Sequence, residues 1–130
     1  MSLDNAFQRL CENLTSSGWR RVSGSACGPM VGLLNANEVH LTLKSTGFDD
    51  EVEVHRISAG APGKGAGTRA LLSVLDGADR EGIDLRLRPV PFRGLCSEPD
   101  LRRWYARMGF GVQDDGWMTR YAEPFDDPTP

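Results

Sequence analysis

The segment Ala61-Pro62-Gly63-Lys64-Gly65-Ala66-Gly67-Thr68 constrains the fold of this chain more than any other. Its glycines carry no Cβ, so the backbone can turn sharply and aim several main-chain N–H groups into one concavity. Before it, Val52, Val54 and Ile57 mark a strand with an irregularity between Val54 and Ile57. After it, a helix opens at Thr68, carries Leu71, Leu72, Val74, Leu75 and Ala78, and ends near Gly82. A strand, a glycine turn and a helix N-terminus in that order suit an anion, because the helix contributes unpaired amides and the positive end of its dipole. Phosphate or pyrophosphate is the natural guest. The same composition also serves a tight turn that holds nothing.

Spacing separates the phosphate-binding patterns. No register provides four residues between a first glycine and a Gly-Lys-Ser/Thr end, which excludes a Walker A loop. Gly65-Ala66-Gly67-Thr68-Arg69-Ala70 matches the dinucleotide fingerprint in letters. A dinucleotide fold, however, needs repeated parallel βα units and an acid at the end of the next strand, where this chain has Arg88 and Pro89.

The rest of the chain reads as a mixed α/β domain. Phe7, Leu10, Cys11 and Leu14 form one helical stripe from Asp4 that Gly18 stops. Trp19 to Val22 suggests a short strand, and Ser23 to Gly32 reads as loop. Val31 to Leu34 and Val39 to Leu43 form a hairpin around Asn35, Ala36 and Asn37. Ile83, Leu85 and Leu87 mark a strand closed by Pro89 and Pro91. Ser97 and Asp100 compete to cap a helix carrying Leu101, Trp104, Tyr105 and Met108, and Phe110 to Gln113 with Trp117 to Tyr121 gives a final hairpin. Residues 1–122 are expected to form a single domain, and the acidic, proline-rich 123–130 a disordered tail.

Two of these segments together carry a resemblance. Pro62-Gly63-Lys64-Gly65-Ala66-Gly67-Thr68 resembles the Q/R-x-x-G-x-G/A loop of the GNAT N-acetyltransferase superfamily, and Tyr105-Ala106-Arg107-Met108-Gly109-Phe110 is similar to its Tyr-x-x-x-Gly-Phe helix ending. They lie in the expected order and span about Glu51 to Tyr121. The resemblance implies a mostly antiparallel sheet with splayed central strands flanked by helices. It also implies transfer of an acyl group, most simply acetyl from acetyl-CoA, to a primary amine by direct attack in a ternary complex. The pyrophosphate would lie on Pro62, Gly63, Lys64, Gly65, Ala66, Gly67 and Thr68. The pantetheine would run between Val54 to Ala59 and Ile83 to Arg88, beside Ile57 and Ala59. Pro62 stands where the family has Gln or Arg, which removes one side-chain contact but leaves the amides that follow.

An alkyl amine near pKa ~10 is mostly protonated at neutral pH, so transfer needs a proton acceptor. Glu51 and Glu53 alternate with Val52 and Val54 and share one strand face, with His55 as a third group on it. The two glutamates are the base candidates; the bland alternative is a solvated strand face. Tyr105 matches the family position whose hydroxyl protonates the departing thiolate, and could equally be a packed core ring. Trp104, Phe110 and Trp117 read as packing. Arg86 and Arg88 could form a basic patch, or only a solvated surface.

Composition limits the partners. The 15 basic and 18 acidic groups are scattered, giving a net charge of −3 and no nucleic-acid arm, although a nucleic-acid amine stays open as acceptor alongside small molecules and peptides. Cys11, Cys27 and Cys96 are unpaired in number and spacing, as expected of a cytoplasmic protein, and no zinc-type cluster or membrane-length apolar run is present. With one helix before the central strand, a homodimer partner could complete the acceptor site. The alternative function is a non-catalytic CoA-binding or protein-interaction module on the same fold.

Overall fold

The computed structural model describes residues 6–24, 30–48, 50–59, 65–90, 97–113 and 115–122. Along them run α1 (Ala6–Ser16), β1 (Arg20–Gly24), β2 (Met30–Leu34), β3 (Val39–Ser45), β4 (Glu51–Ala59), α2 (Ala66–Glu81), β5 (Asp84–Leu87), α3 (Glu98–Arg107), β6 (Gly111–Val112) and β7 (Met118–Arg120). The described strands join in one sheet of order β1-β2-β3-β4-β5-β7-β6. Every neighbouring pair is antiparallel except β4 and β5, which are parallel and are linked through α2. No helix among the described residues is long and apolar enough to cross a membrane.

Alternation decides which sheet face is covered. Val31, Leu33, Val39, Leu41, Leu43, Val52, Val54, Leu85, Leu87 and Met118 are all at most 2% exposed and meet Phe7, Leu10 and Leu14 of α1 and Leu71, Val74 and Ala78 of α2. Full burial stabilises each large aliphatic side chain by roughly 1.5–3 kcal/mol, so this layer dominates folding. α1 and α2 approach closely where α2 carries Gly77: a Cβ there would lie 2.7 Å from Asn13 Oδ1. The β2–β3 turn is fixed locally, since Asn35 Oδ1 accepts from the N–H groups of Asn37 and Val39, both at 2.9 Å.

The structure adjusts three sequence boundaries. α2 opens at Ala66, two residues before Thr68, because Gly65 takes a left-handed conformation (φ 74°) and turns the chain into the helix earlier. β1 reaches Gly24 and β2 starts at Met30, inside the stretch expected to be loop. All five β1 residues are exposed, so this edge strand has no apolar alternation to reveal it and is held by its ladder to β2. Ser97, not Asp100, caps α3: its Oγ accepts from the Asp100 N–H at 3.2 Å.

Candidate functional site

The strand β4 keeps its two neighbours for different lengths. It pairs with β3 from Ser45↔Val52 to Val39↔Ala59, whereas its register with β5 holds only Glu51↔Asp84, Val52↔Leu85 and Glu53↔Arg86. Beyond Glu53 the two parallel strands part. On the β3 side Leu43 faces Val54 and Thr42 faces Arg56, so His55 is the extra residue of a bulge. A bulge bends its strand and raises its twist, which accounts for β4 leaving β5 where it does. The irregularity expected between Val54 and Ile57 lies here, and so does the opening expected between Val54 to Ala59 and Ile83 to Arg88. Ile57 is partly buried against the core, and Ala59 ends the strand opposite Val39.

The sheet face turned away from α1 and α2 carries the polar groups. Glu53 Oε2 lies 3.2 Å from His55 Nδ1. Glu51 Oε1 lies 4.0 Å from Arg86 Nη1, and the guanidinium of Arg86 stacks on the Trp117 ring at 4.1 Å from its centroid. Glu51 Oε1 and Arg86 Nε are both sealed from solvent without a hydrogen bond. The structure thus brings Glu51, Glu53 and His55 together, as their alternation indicated, and adds Arg86 and Trp117. Held between Glu51 and Trp117, Arg86 does not project with Arg88 as a basic patch; β5 ends at Leu87 and Arg88 is exposed beyond it. A signal for the Arg86–Trp117 stack existed, because the final hairpin returns along β5, but the register that sets Arg86 opposite Thr119, with Trp117 two residues before it, cannot be read from spacing.

At the other end of the opening, the chain enters α2. Pro62, Gly63 and Lys64 lie outside the described residues. Gly65 is the N-cap and offers no side-chain hydrogen bond, and the first helical bond runs from Arg69 N–H to Gly65 O at 3.0 Å. The main-chain N–H groups of Gly65, Ala66, Gly67 and Thr68 therefore precede the helical ladder, at the positive end of a helix of 16 residues. The Thr68 hydroxyl accepts from the Trp104 indole N–H at 3.0 Å, tying α2's first turn to α3. Next to Trp104, Tyr105 is 6% exposed, with its ring 4.9 Å from that of Trp104 and 5.6 Å, edge-on, from that of Phe110. The Trp104–Thr68 contact was not expected from sequence: its partners are 36 residues apart and Trp104 read as packing alone.

This architecture has solved counterparts. The ribosomal-protein-S18-alanine N-acetyltransferase from Escherichia coli aligns over 92% of this chain and 81% of its own, with a TM-score of 0.53 and 15% identity. The PaiA N-acetyltransferase from Thermoplasma acidophilum, solved in complex with coenzyme A, aligns over 71% of this chain with a TM-score of 0.51 and 20% identity. The chain has the GNAT N-acetyltransferase fold. It spans 59% of the length of the Thermoplasma protein, and 97% of the anti-CRISPR protein AcrVA5, to which it aligns over 78% of its own length with a TM-score of 0.56 and 20% identity. No protein-family model and no curated protein matches the sequence. Within this fold, β4 parts from β5 past Glu53 and the chain enters α2 at Gly65.

Proposed function

We propose that this chain is an acyl-CoA-dependent N-acyltransferase that moves an acetyl group from acetyl-CoA to a primary amine by direct attack with both substrates bound. The observation that carries the proposal is the opening between β4 and β5 together with an α2 N-terminus whose N-cap, Gly65, brings no side-chain hydrogen bond to its amides. Such amides fit a pyrophosphate, and the edge of β4 exposed past Glu53 offers main-chain groups to a pantetheine. Gly65, Ala66, Gly67 and Thr68, with Pro62, Gly63 and Lys64 before them, would hold the phosphates, and Ile57 and Ala59 would line the arm. When bound, acetyl-CoA supplies a thioester carbonyl for the amine and a thiol that departs.

The chain's own residues then have three tasks. The carboxylates of Glu51 and Glu53 attract a cationic amine to the open sheet face, and one of them takes its proton. Tyr105 would give a proton to the leaving sulfur. The Trp104–Thr68 hydrogen bond holds the helix that carries Tyr105 against the first turn of α2. As a cytoplasmic enzyme the protein would meet acetyl-CoA and small or peptide amines together.

Two measurements test this. Isothermal titration should show acetyl-CoA binding to the purified protein, and mass spectrometry should show acetylation of at least one of three probes: spermidine, an alanine-terminated hexapeptide and Nα-acetyl-lysine amide. The absence of both binding at millimolar acetyl-CoA and transfer to any probe would end the proposal. Binding without transfer to any amine would make the chain a CoA-binding module instead.

A further inference from the structure

We propose, resting on the acyltransferase reading, that Glu53 is the proton acceptor and that His55, the bulge residue of β4, relays the proton from Glu53 to water. The first support is position. Glu53 is the last β4 residue registered with β5, and His55, two residues further on, is the bulge residue beyond the end of that ladder, so the pair sits where the two strands open. The second is contact: His55 Nδ1 and Glu53 Oε2 are 3.2 Å apart, within reach of a direct proton transfer. The third is a gradient of exposure, from a Glu53 side chain 15% exposed to a His55 side chain 42% exposed. A proton accepted on the shielded carboxylate thus has a route outward through a ring that faces solvent.

The surroundings distinguish Glu53 from Glu51. By register, Glu53 lies between Lys44 of β3 and Arg86 of β5, with Glu51 and His55 on its own strand and Arg56 just past the bulge. Glu51 instead faces Arg86 at 4.0 Å, and its Oε1 is closed to solvent. That oxygen is turned toward the guanidinium, so the ion-pair partner of Glu51 is a fixed cation, although its side chain is 22% exposed. The partner of Glu53 is itself a proton carrier.

The protons balance as follows. Each ammonium converted to an amide loses two. One passes to the Glu53 carboxylate and from there to Nδ1 of a His55 that carries its own hydrogen on Nε2, and the imidazolium returns to that neutral form by releasing a proton to water. The other leaves the nitrogen as the C–N bond forms and ends on the CoA sulfur as the C–S bond breaks.

The test combines kinetics with a spectroscopic signature. With any probe amine that the wild type acetylates, Glu53→Gln should lower kcat by roughly 100-fold and His55→Ala by roughly 10-fold, while the KM for acetyl-CoA stays within about twofold. Imidazole added to the buffer should restore kcat in His55→Ala but not in Glu53→Gln, and the loss in Glu51→Gln should be smaller than in Glu53→Gln. Independently of turnover, the Nδ1 resonance of His55 in nitrogen NMR should move in Glu53→Gln and hold its place in Glu51→Gln. An unmoved resonance in Glu53→Gln overturns the proposal, as does a His55→Ala variant with the wild-type rate or one that imidazole fails to rescue. Those results would leave the acyltransferase reading standing. A wild type that neither binds acetyl-CoA nor acetylates a probe would remove that reading and the relay with it.

Discussion

The two borders of β4 are built by different means. Toward β3 the ladder is long and continuous apart from the His55 bulge, and it extends through β2 to β1. Toward β5 three register pairs remain, and β5 in turn is held to the last hairpin by β7, a strand of three residues. Side chains take over there. Arg120 of β7 makes a bidentate pair with Asp79 of α2 at 2.8 and 2.9 Å, and Asp84 Oδ1 accepts from Ala122 N–H at 2.8 Å. A strand that must part from its neighbour to admit a ligand gives up backbone hydrogen bonds, and charged anchors from the helix layer replace them.

Cutting the strongest anchor should expose that difference most. Arg120 is 8% exposed, so Asp79→Ala removes the carboxylate that pairs bidentately with a buried guanidinium, a loss of about 3–5 kcal/mol. Urea unfolding followed by circular dichroism measures the loss. Hydrogen exchange should then show early opening of β5 and β7 while β2 and β3 keep their protection. Uniform loss of protection across the sheet would mean that the two borders are one cooperative unit.

A gentler contrast comes from pH. Burial on the inward face of α1 pushes the Cys11 thiol up to about 12 from its ordinary 9.0, outweighing the downward pull of Arg21, with Glu12 adding to the rise. The folded state therefore keeps a proton that the unfolded state gives up as pH passes 9, so the stabilising contribution is complete below pH 9 and shrinks from there toward 12. The stability advantage of the wild type over Cys11→Ala should shrink over that window. If the difference stays constant to pH 11, the thiol is not shielded as the helix layer requires.

How much of this was legible in sequence depended on whether the signal was local. The stripe of Phe7, Leu10 and Leu14 and the alternation of Val39, Leu41 and Leu43 announced their elements because burial imposes a period on neighbouring residues. The face shared by Glu51 and Glu53 was visible for the same reason, through their alternation with the buried Val52 and Val54. Arg86 stacked on Trp117, Trp104 bonded to Thr68, and Asp79 paired with Arg120 were not, since each joins residues 31, 36 and 41 positions apart whose meeting depends on strand register and helix placement. The start of α2 was misplaced by two residues because Gly65 in the left-handed region, and not the hydroxyl of Thr68, turns the chain into the helix.

Gly65 itself gives a further way to sharpen the contrast. An alanine there would be held at φ 74°, at a cost of about 1 kcal/mol, and among the described residues its Cβ would meet the movable end of Arg69 at 3.2 Å. Gly65→Ala should fold with slightly reduced stability and bind acetyl-CoA more weakly than that loss alone predicts, because the strain falls on the amides at the open border. A variant whose titration with acetyl-CoA matches the wild type would separate this turn from the ligand.

The smallest expected change concerns the bond that joins the two motif helices. Trp104→Phe keeps an aromatic ring against Tyr105 but removes the N–H that meets Thr68 Oγ1, a net loss of about 0.5–1.5 kcal/mol. Thr68→Val removes the same bond from the other side. If the bond's task is to hold α3 against α2's first turn, each single variant should lower kcat without changing the KM for the amine, and the double variant should do no more harm than either alone. Additive losses would show that the tryptophan and the threonine act separately. In that case Tyr105 owes its placement to the Phe110 contact and to the burial of its ring, and the border along β5 is held by its charged anchors with no help from α3.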